Sequence, residues 1–184
     1  MRKIILNLAV TLDGFIEGPN GEIDWITGDT QTDFADIIND ILVGIDAIFY
    51  GRISYELWGS YRPEEGSPKL KEAYELLHSK KKYVFSTTMA DDGKATIIRS
   101  DIKEKVQEIL KQPGENIWLY GGGKLTTTFI NFGLIDAYRL AVYPVILGSG
   151  KPLFENIKDR TNLKLIDVKH SENGILLLNY ETRR

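Results

Sequence analysis

Three short stretches of the sequence combine glycine, hydroxyl and basic residues in ways that suit anion chemistry. The first is Gly121-Gly122-Gly123-Lys124-Leu125, which follows the apolar run IWLY and precedes TTTF. Glycines let the backbone adopt angles closed to other residues and let a ligand approach the chain closely. The second is Gly51-Arg52-Ile53-Ser54, which ends the apolar run DAIFY. Arg52 can fork two hydrogen bonds onto a phosphate, and Ser54 can add a hydroxyl. The third is Ser86-Thr87-Thr88, after KYVF. The glycine stretch fits neither common phosphate loop. The GxxxxGK[ST] pattern is broken by Trp118 and Leu125, and GxGxxG fails because position 126 is Thr.

Other chemistries are disfavoured. The chain has no cysteine, which removes disulfides, thiolate catalysis and sulfur-ligated zinc. Its 2 histidines, His78 and His170, are far apart in sequence. A Ser-His-Asp triad is therefore not expected, and neither is a metal site. The net charge of -3 gives no basis for a nucleic-acid surface. Lys80, Lys81 and Lys82 read as a solvated turn. No apolar run reaches the ~20 residues of a membrane helix, and the N-terminal one is too short for a secretory leader. A soluble cytoplasmic protein without membrane or nucleic-acid partners is expected.

The elements around these stretches place them. Residues 3–10, 46–51, 82–87, 95–100 and 116–122 read as strands, several of them apolar on both faces. Helical spacing covers 30–45, 67–80, a stretch after Ser100 or Asp101, and 124–133, with a short helix after Arg52. Three more strands follow in AYRLAVYPVILG, LKLIDVKHSE and GILLLNYETR. Alternating strands and helices imply a largely parallel sheet with helices on both faces, and the final strands add antiparallel edges. With 184 residues and no linker or repeat, a single domain over 1–184 is expected. All three stretches then lie at carboxyl ends of strands, where parallel sheets bind ligands. Residues 13–24 form an unusually apolar, glycine-bearing loop.

In order, NLAVTLDGFIEGPNG, DWITGD, DAIFYGRISYELW, YVFSTT, IWLYGGGKL and IDAYRLAVYPVILGSGKPLF resemble the segments of the dihydrofolate reductase-like fold. Within it, the chain is most similar to the reductase domain of bacterial riboflavin biosynthesis. That resemblance spans nearly the whole chain and implies a three-layer α/β fold, NADPH binding and hydride transfer to a pterin- or pyrimidine-like ring. It assigns Gly51, Arg52, Ile53 and Ser54 to the pyrophosphate and ribose 2'-phosphate, and Ser86 and Thr87 to the adenosine ribose phosphate. Gly121, Gly122, Gly123, Lys124 and Leu125 become the corner under the pyrophosphate. Ala9 and Ile16 lie on the nicotinamide side, with Asn7, Trp25 and Phe34 towards the substrate and loop 13–24 as the lid. The acid position of dihydrofolate reductases falls near Thr30, so Asp29 and Asp33 are the catalytic candidates; the alternative is that Asp29 or Thr30 caps the helix and Asp33 favours its dipole. A homodimer is expected by the same resemblance. An NADPH-binding sensor or stress protein without catalysis is the competing reading.

Overall fold

The structure, a computed structural model, describes residues 1–27 and 33–183. Its centre is an eight-stranded sheet. The strands are β1 (Ile4–Thr11), β3 (Ile45–Gly51), β4 (Lys81–Phe85), β5 (Thr96–Ile98), β6 (Asn116–Gly121), β7 (Ala137–Tyr143), β9 (Leu163–His170) and β10 (Leu176–Thr182), in the order β5-β4-β3-β6-β1-β7-β10-β9. The six from β5 to β7 run parallel, β10 pairs antiparallel with β7, and β9 antiparallel with β10. A second, two-stranded sheet joins β2 (Phe15–Glu17) to β8 (Lys151–Pro152).

Helices cover both faces of the large sheet, giving the three-layer α/β arrangement that the alternating pattern predicts. Alternation within single strands shows how. In β3, Ala47 and Phe49 pack with Val106 and Ile109 of α5 (Ile102–Lys111) and Phe129 of α6 (Gly123–Asn131). Their neighbours Ile48 and Tyr50 point the other way, towards α2 (Phe34–Leu42), α3 (Arg52–Trp58) and α4 (Pro68–Ser79). Successive side chains of a strand face opposite sides, so a strand between two helical layers must be apolar throughout. At 25 cal/mol per Å², one fully buried Phe or Ile contributes about 1.5–3 kcal/mol, which is why these central strands are the most apolar in the chain.

Several boundaries differ from the sequence pattern for identifiable reasons. The helix expected from residue 30 begins at Phe34, because Asp33 occupies the cap in extended geometry and accepts from the Ala35 and Asp36 N–H groups. The strand expected through Gly148 stops at Tyr143, before Pro144, which lacks an N–H. Asp101 is the N-cap of α5, yet it sits in left-handed geometry (φ 52°) and its side chain makes no capping bond. The short elements β2, β8 and α1 (Asp24–Thr27) had no sequence signature. β2 and β8 stabilise each other, and the Glu17–Lys151 ion pair at 2.7 Å ties them.

Candidate cofactor and substrate site

Register brings the three anion-suited stretches side by side. Gly51 pairs with Phe85 and Tyr50 with Gly121, so the carboxyl ends of β4, β3 and β6 are neighbours on one edge. Two of the corners touch. A Cβ on Gly51 would lie 3.3 Å from the Gly121 carbonyl oxygen, and a Cβ on Gly122 would lie 3.2 Å from Ser54 Oγ.

The glycine corner is built for backbone donation. Gly121 and Gly122 have φ of 91° and 104°, a region that side chains disfavour. Gly122 caps α6 without a side chain, and the first intrahelical bond runs from Thr126 N–H to the Gly122 carbonyl at 3.0 Å. The N–H groups of Gly123, Lys124 and Leu125 are the first-turn donors that a helix leaves without intrahelical acceptors. The Lys124 side chain is exposed, whereas Leu125 packs into the core, so both serve this corner through their backbone. Beneath it, the Thr126 hydroxyl is buried without a hydrogen-bond partner. A cradle that a Cβ would fill, facing a helix N-terminus, fits a pyrophosphate.

At the second corner, Arg52 is exposed and its guanidinium meets the Glu56 carboxylate at 2.7 and 3.0 Å. Such surface pairs are weak, so a dianionic phosphate can replace Glu56. Ile53 is 58% exposed, an apolar surface beside Arg52. At the third corner, Ser86 Oγ accepts from the Thr88 and Met89 N–H groups at 3.2 and 3.0 Å. Its acceptor capacity is used by the turn, and its hydroxyl hydrogen remains to be donated. Thr87 is exposed.

The residues expected on the substrate side lie along and beside β1. Ala9 and Asn7 occupy the same face of the strand, two residues apart. The Asn7 carbonyl accepts from Trp118 Nε1 at 2.9 Å, and Asn7 lines a cavity of about 490 Å³ between α2 and strands β7, β10 and β9. Trp25 packs edge-on against Tyr143, with centroids 5.2 Å apart, and its Nε1 is buried without a partner. Phe34 is half-buried at the start of α2, and Ile16 in β2 packs against the core cluster beneath α6.

Two expectations change. The Asp33 carboxylate caps α2 and holds Lys69 at 2.8 Å. The Lys69 bond and the backbone donors hold its carboxyl below the usual carboxylate range. It is exposed and acts as a cap, for which a lowered rather than raised pKa is the natural consequence. Asp29, the other catalytic candidate, lies outside the described residues. The lid loop is also less free than its glycines suggest. The Asp13 carboxylate accepts from Thr11 Oγ1 and from the Leu147 and Gly148 N–H groups, and Leu153 N–H donates to the Gly14 carbonyl. Residues 13–17 are therefore anchored, and the turn beyond them is closed by Gly18 N–H to the Glu22 carbonyl at 2.8 Å and by Gly21 N–H to the Gly18 carbonyl at 3.1 Å. Arg139, Asn179 and Asp40 line the cavity beside Asn7 and were not singled out by spacing. A charged residue inside the run AYRLAVY was the available signal.

Among the described residues no group of three or more His, Asp or Glu side chains could hold a metal, and no helix is long and apolar enough to cross a membrane.

Comparison with known proteins agrees with this geometry. The family model described as the RibD C-terminal domain matches residues 2–177. YyaP of Bacillus subtilis, itself named as uncharacterized, is 51% identical over 181 residues, covering 97% of this chain and 94% of that protein. Among solved structures, a Shewanella sp. PV-4 protein with a provisional riboflavin-biosynthesis name superposes with a TM-score of 0.80 at 20% identity, covering both chains fully. The Thermotoga maritima diaminohydroxyphosphoribosylaminopyrimidine deaminase/5-amino-6-(5-phosphoribosylamino)uracil reductase superposes with a TM-score of 0.69 at 18% identity. That match covers 99% of this chain and 57% of the other. These likenesses fix the fold as that of reductase domains of the dihydrofolate reductase-like type.

Proposed function

The chain belongs to the RibD C-terminal domain family, and from that premise we propose that it is a cytoplasmic NADPH-dependent reductase of a pterin- or pyrimidine-like ring. The observation that carries the proposal is the contiguous edge of three corners, with the Gly122 cradle and the first-turn donors of α6 at its centre. In this reading Gly121, Gly122 and Gly123, with the backbone of Lys124 and Leu125, hold the pyrophosphate. Arg52 and Ser54 hold the 2'-phosphate, with a donated hydroxyl from Ser86 and support from Thr87 and Gly51. Ile53 packs on the adenine side. Ala9 and Ile16 flank the nicotinamide, and Asn7, Trp25 and Phe34 border the ring to be reduced. The bound cofactor supplies the hydride, as in other nicotinamide enzymes. The protein's part is to align two rings and to keep water out, and β2, β8 and Trp25 provide the wall.

Titration of the intrinsic fluorescence of Trp25, Trp58 and Trp118 with NADPH tests binding, with calorimetry as the independent measure. A saturable change in both is expected, and its absence in both refutes the proposal. Loss of nicotinamide absorbance on mixing with dihydrofolate or the riboflavin-pathway aminouracil tests turnover. Asp33 is assigned to the helix cap rather than to proton transfer, so Asp33→Asn leaves turnover close to that of the parent protein. One observation favours a second reading, an NADPH-binding sensor: the sole described catalytic carboxylate candidate is committed to Lys69. Binding without turnover on either substrate would select it.

The far end of the sheet supports a homodimer. Leu165, Val168 and Leu176 are 50%, 48% and 41% exposed on one face of the edge pair β9–β10, opposite the face of Leu177. Contiguous apolar surface on an edge strand invites cover. A second copy is the proposed occupant, and Val168→Glu is expected to convert dimer to monomer in analytical ultracentrifugation.

A further inference from the structure

A polar row crosses the sheet on the face turned to α2. Register aligns Asn7 of β1 with Arg139 of β7, Arg139 with Asn179 of β10, and Asn179 with Asp167 of β9. Residues aligned across neighbouring strands share a face. The next row towards the carboxyl edge is Ala9, Ala141, Leu177 and Lys169, which is mostly apolar. All four residues of the polar row line the cavity of about 490 Å³, with Ile37, Asp40 and Ile41 of α2 opposite. Its size suits a small molecule rather than a few waters.

The charges in this cavity do not cancel locally. Asp167 lies 3.9 Å from Lys169, and Glu181 pairs with Lys3 at 2.9 Å. Arg139 on the sheet and Asp40 on α2 remain, and neither has an ion pair or hydrogen bond among the described residues. Arg139 is half-buried and carries five N–H donors with no acceptor supplied by the protein. Asp40 offers only acceptors, from the opposite wall. Asp40 is exposed and Arg139 half-buried, and these two groups of opposite hydrogen-bonding character suit an occupant with an acceptor edge and a donor edge. Ile37 and Ile41 supply apolar contact for a flat face between them.

We propose that Arg139 and Asp40 are the specificity pair of the substrate cavity, with Arg139 taking a ring oxo group and Asp40 taking an exocyclic amino group on the other edge. The inference rests on the reading of this cleft as the site of a pyrimidine-like ring. Asn7, one step along β1 from Ala9, links the cavity to the nicotinamide side.

Ligand-observed NMR on the intact chain with excess NADPH tests the pair, using isocytosine, uracil and 2,4-diaminopyrimidine as probes at a pH where all three are neutral. Isocytosine carries both edges, uracil lacks the amino group, and diaminopyrimidine lacks the oxo group. Isocytosine is expected to bind at least about fivefold more tightly than either, a difference of about 1 kcal/mol. Arg139→Met should abolish its advantage over diaminopyrimidine and keep that over uracil. Asp40→Asn should do the reverse. Arg139→Lys, which keeps the charge, serves if Arg139→Met is not folded by circular dichroism. Equal binding of the three probes to the parent protein, absence of binding by all, or uniform weakening in both variants overturns the pair. Tryptophan fluorescence in the same samples reads NADPH separately. NADPH binding without probe discrimination removes the pair and leaves the cofactor reading. Discrimination without NADPH binding keeps the pair and removes the cofactor reading.

Discussion

Gly122→Ala isolates the cradle from the rest of the fold. Gly122 has φ 104° and ψ 132°, close to a region that only glycine occupies readily, and holding another residue there costs about 1–3 kcal/mol. The added methyl would also meet Ser54 Oγ at 3.2 Å. Two responses are available. If the backbone holds, the strain appears as lost stability, and each kcal/mol lowers Tm by about 2–4 °C in a chain of this size. If the backbone rotates to negative φ, the peptide between Gly122 and Gly123 turns and its N–H leaves the anion. A hydrogen bond to a charged group contributes about 1.5–3 kcal/mol, so each one lost weakens NADPH by roughly 10–150-fold. Gly133→Ala is the matched control. It also has positive φ (64°), with no atom within 4 Å of the added methyl, at the other end of the same helix. Its cost is about 1–2 kcal/mol of stability with no route to the cofactor. Calorimetric titration of NADPH alongside thermal unfolding of both variants gives the answer. The expected pattern is a lower Tm for Gly133→Ala with parent affinity, and weaker NADPH binding for Gly122→Ala alone. Parent affinity together with parent Tm in Gly122→Ala, or equal losses of affinity in both variants, would refute the cradle.

Other expected outcomes concern separate parts of the molecule. Arg52→Ala should weaken NADPH by roughly 10–150-fold, as one or more charge-assisted bonds are lost, while NADH changes little. Glu56→Gln should strengthen NADPH binding by releasing Arg52 from its carboxylate, and isothermal titration with both cofactors reads the two effects. Tyr50→Phe should be neutral or stabilising by about 1 kcal/mol in urea unfolding. Its hydroxyl is buried without a partner, and a clear loss would show that the group is satisfied in solution. His78 is held below its ordinary pKa of 6.5, first by burial and then by Lys82 and Arg62, against the opposing effect of the Tyr61 carbonyl. Nε2 meets that carbonyl at 2.5 Å and Nδ1 is buried unpaired, so the folded state favours the neutral ring. The unfolded chain then binds the extra proton, and stability falls as pH drops below about 6.5. His78→Gln should flatten that part of the stability profile, and an unchanged slope would assign it to other groups.

The parts that were legible in the sequence are those governed by local rules. Strands β1, β3 and β6 announced themselves because burial on both faces leaves few polar positions, as Ile48, Phe49 and Tyr50 show. The glycine corner before α6 was legible because positive φ, as at Gly121 and Gly122, favours glycine. What escaped depends on partners distant in sequence. β2 and β8 are three and two residues long and exist through each other. Asp33 was a catalytic candidate with the helix dipole as its alternative role, and only the fold shows it capping α2 with Lys69, 36 residues away, on its carboxylate. The polar row was invisible because Asn7, Arg139, Asn179 and Asp167 come from four strands, and only register aligns them. A bulge between Asn179 and Tyr180 further offsets β9 from any simple period-two count.

The small β2–β8 sheet has a consequence for kinetic order. Lys151 of β8 holds Glu17 of β2, and its Cε lies 3.3 Å from where a Cβ of Gly123 would stand. In the proposed reading, the strand on the nicotinamide side and the first turn of the helix under the pyrophosphate thus share one neighbour. In that reading, displacing β2 is expected to disturb the helix start, and a dianion seated there is expected to steady β2. Coenzyme arrival should therefore come before the second reactant, with steady-state patterns of a compulsory sequence and with departure of the oxidised coenzyme as the slow exit.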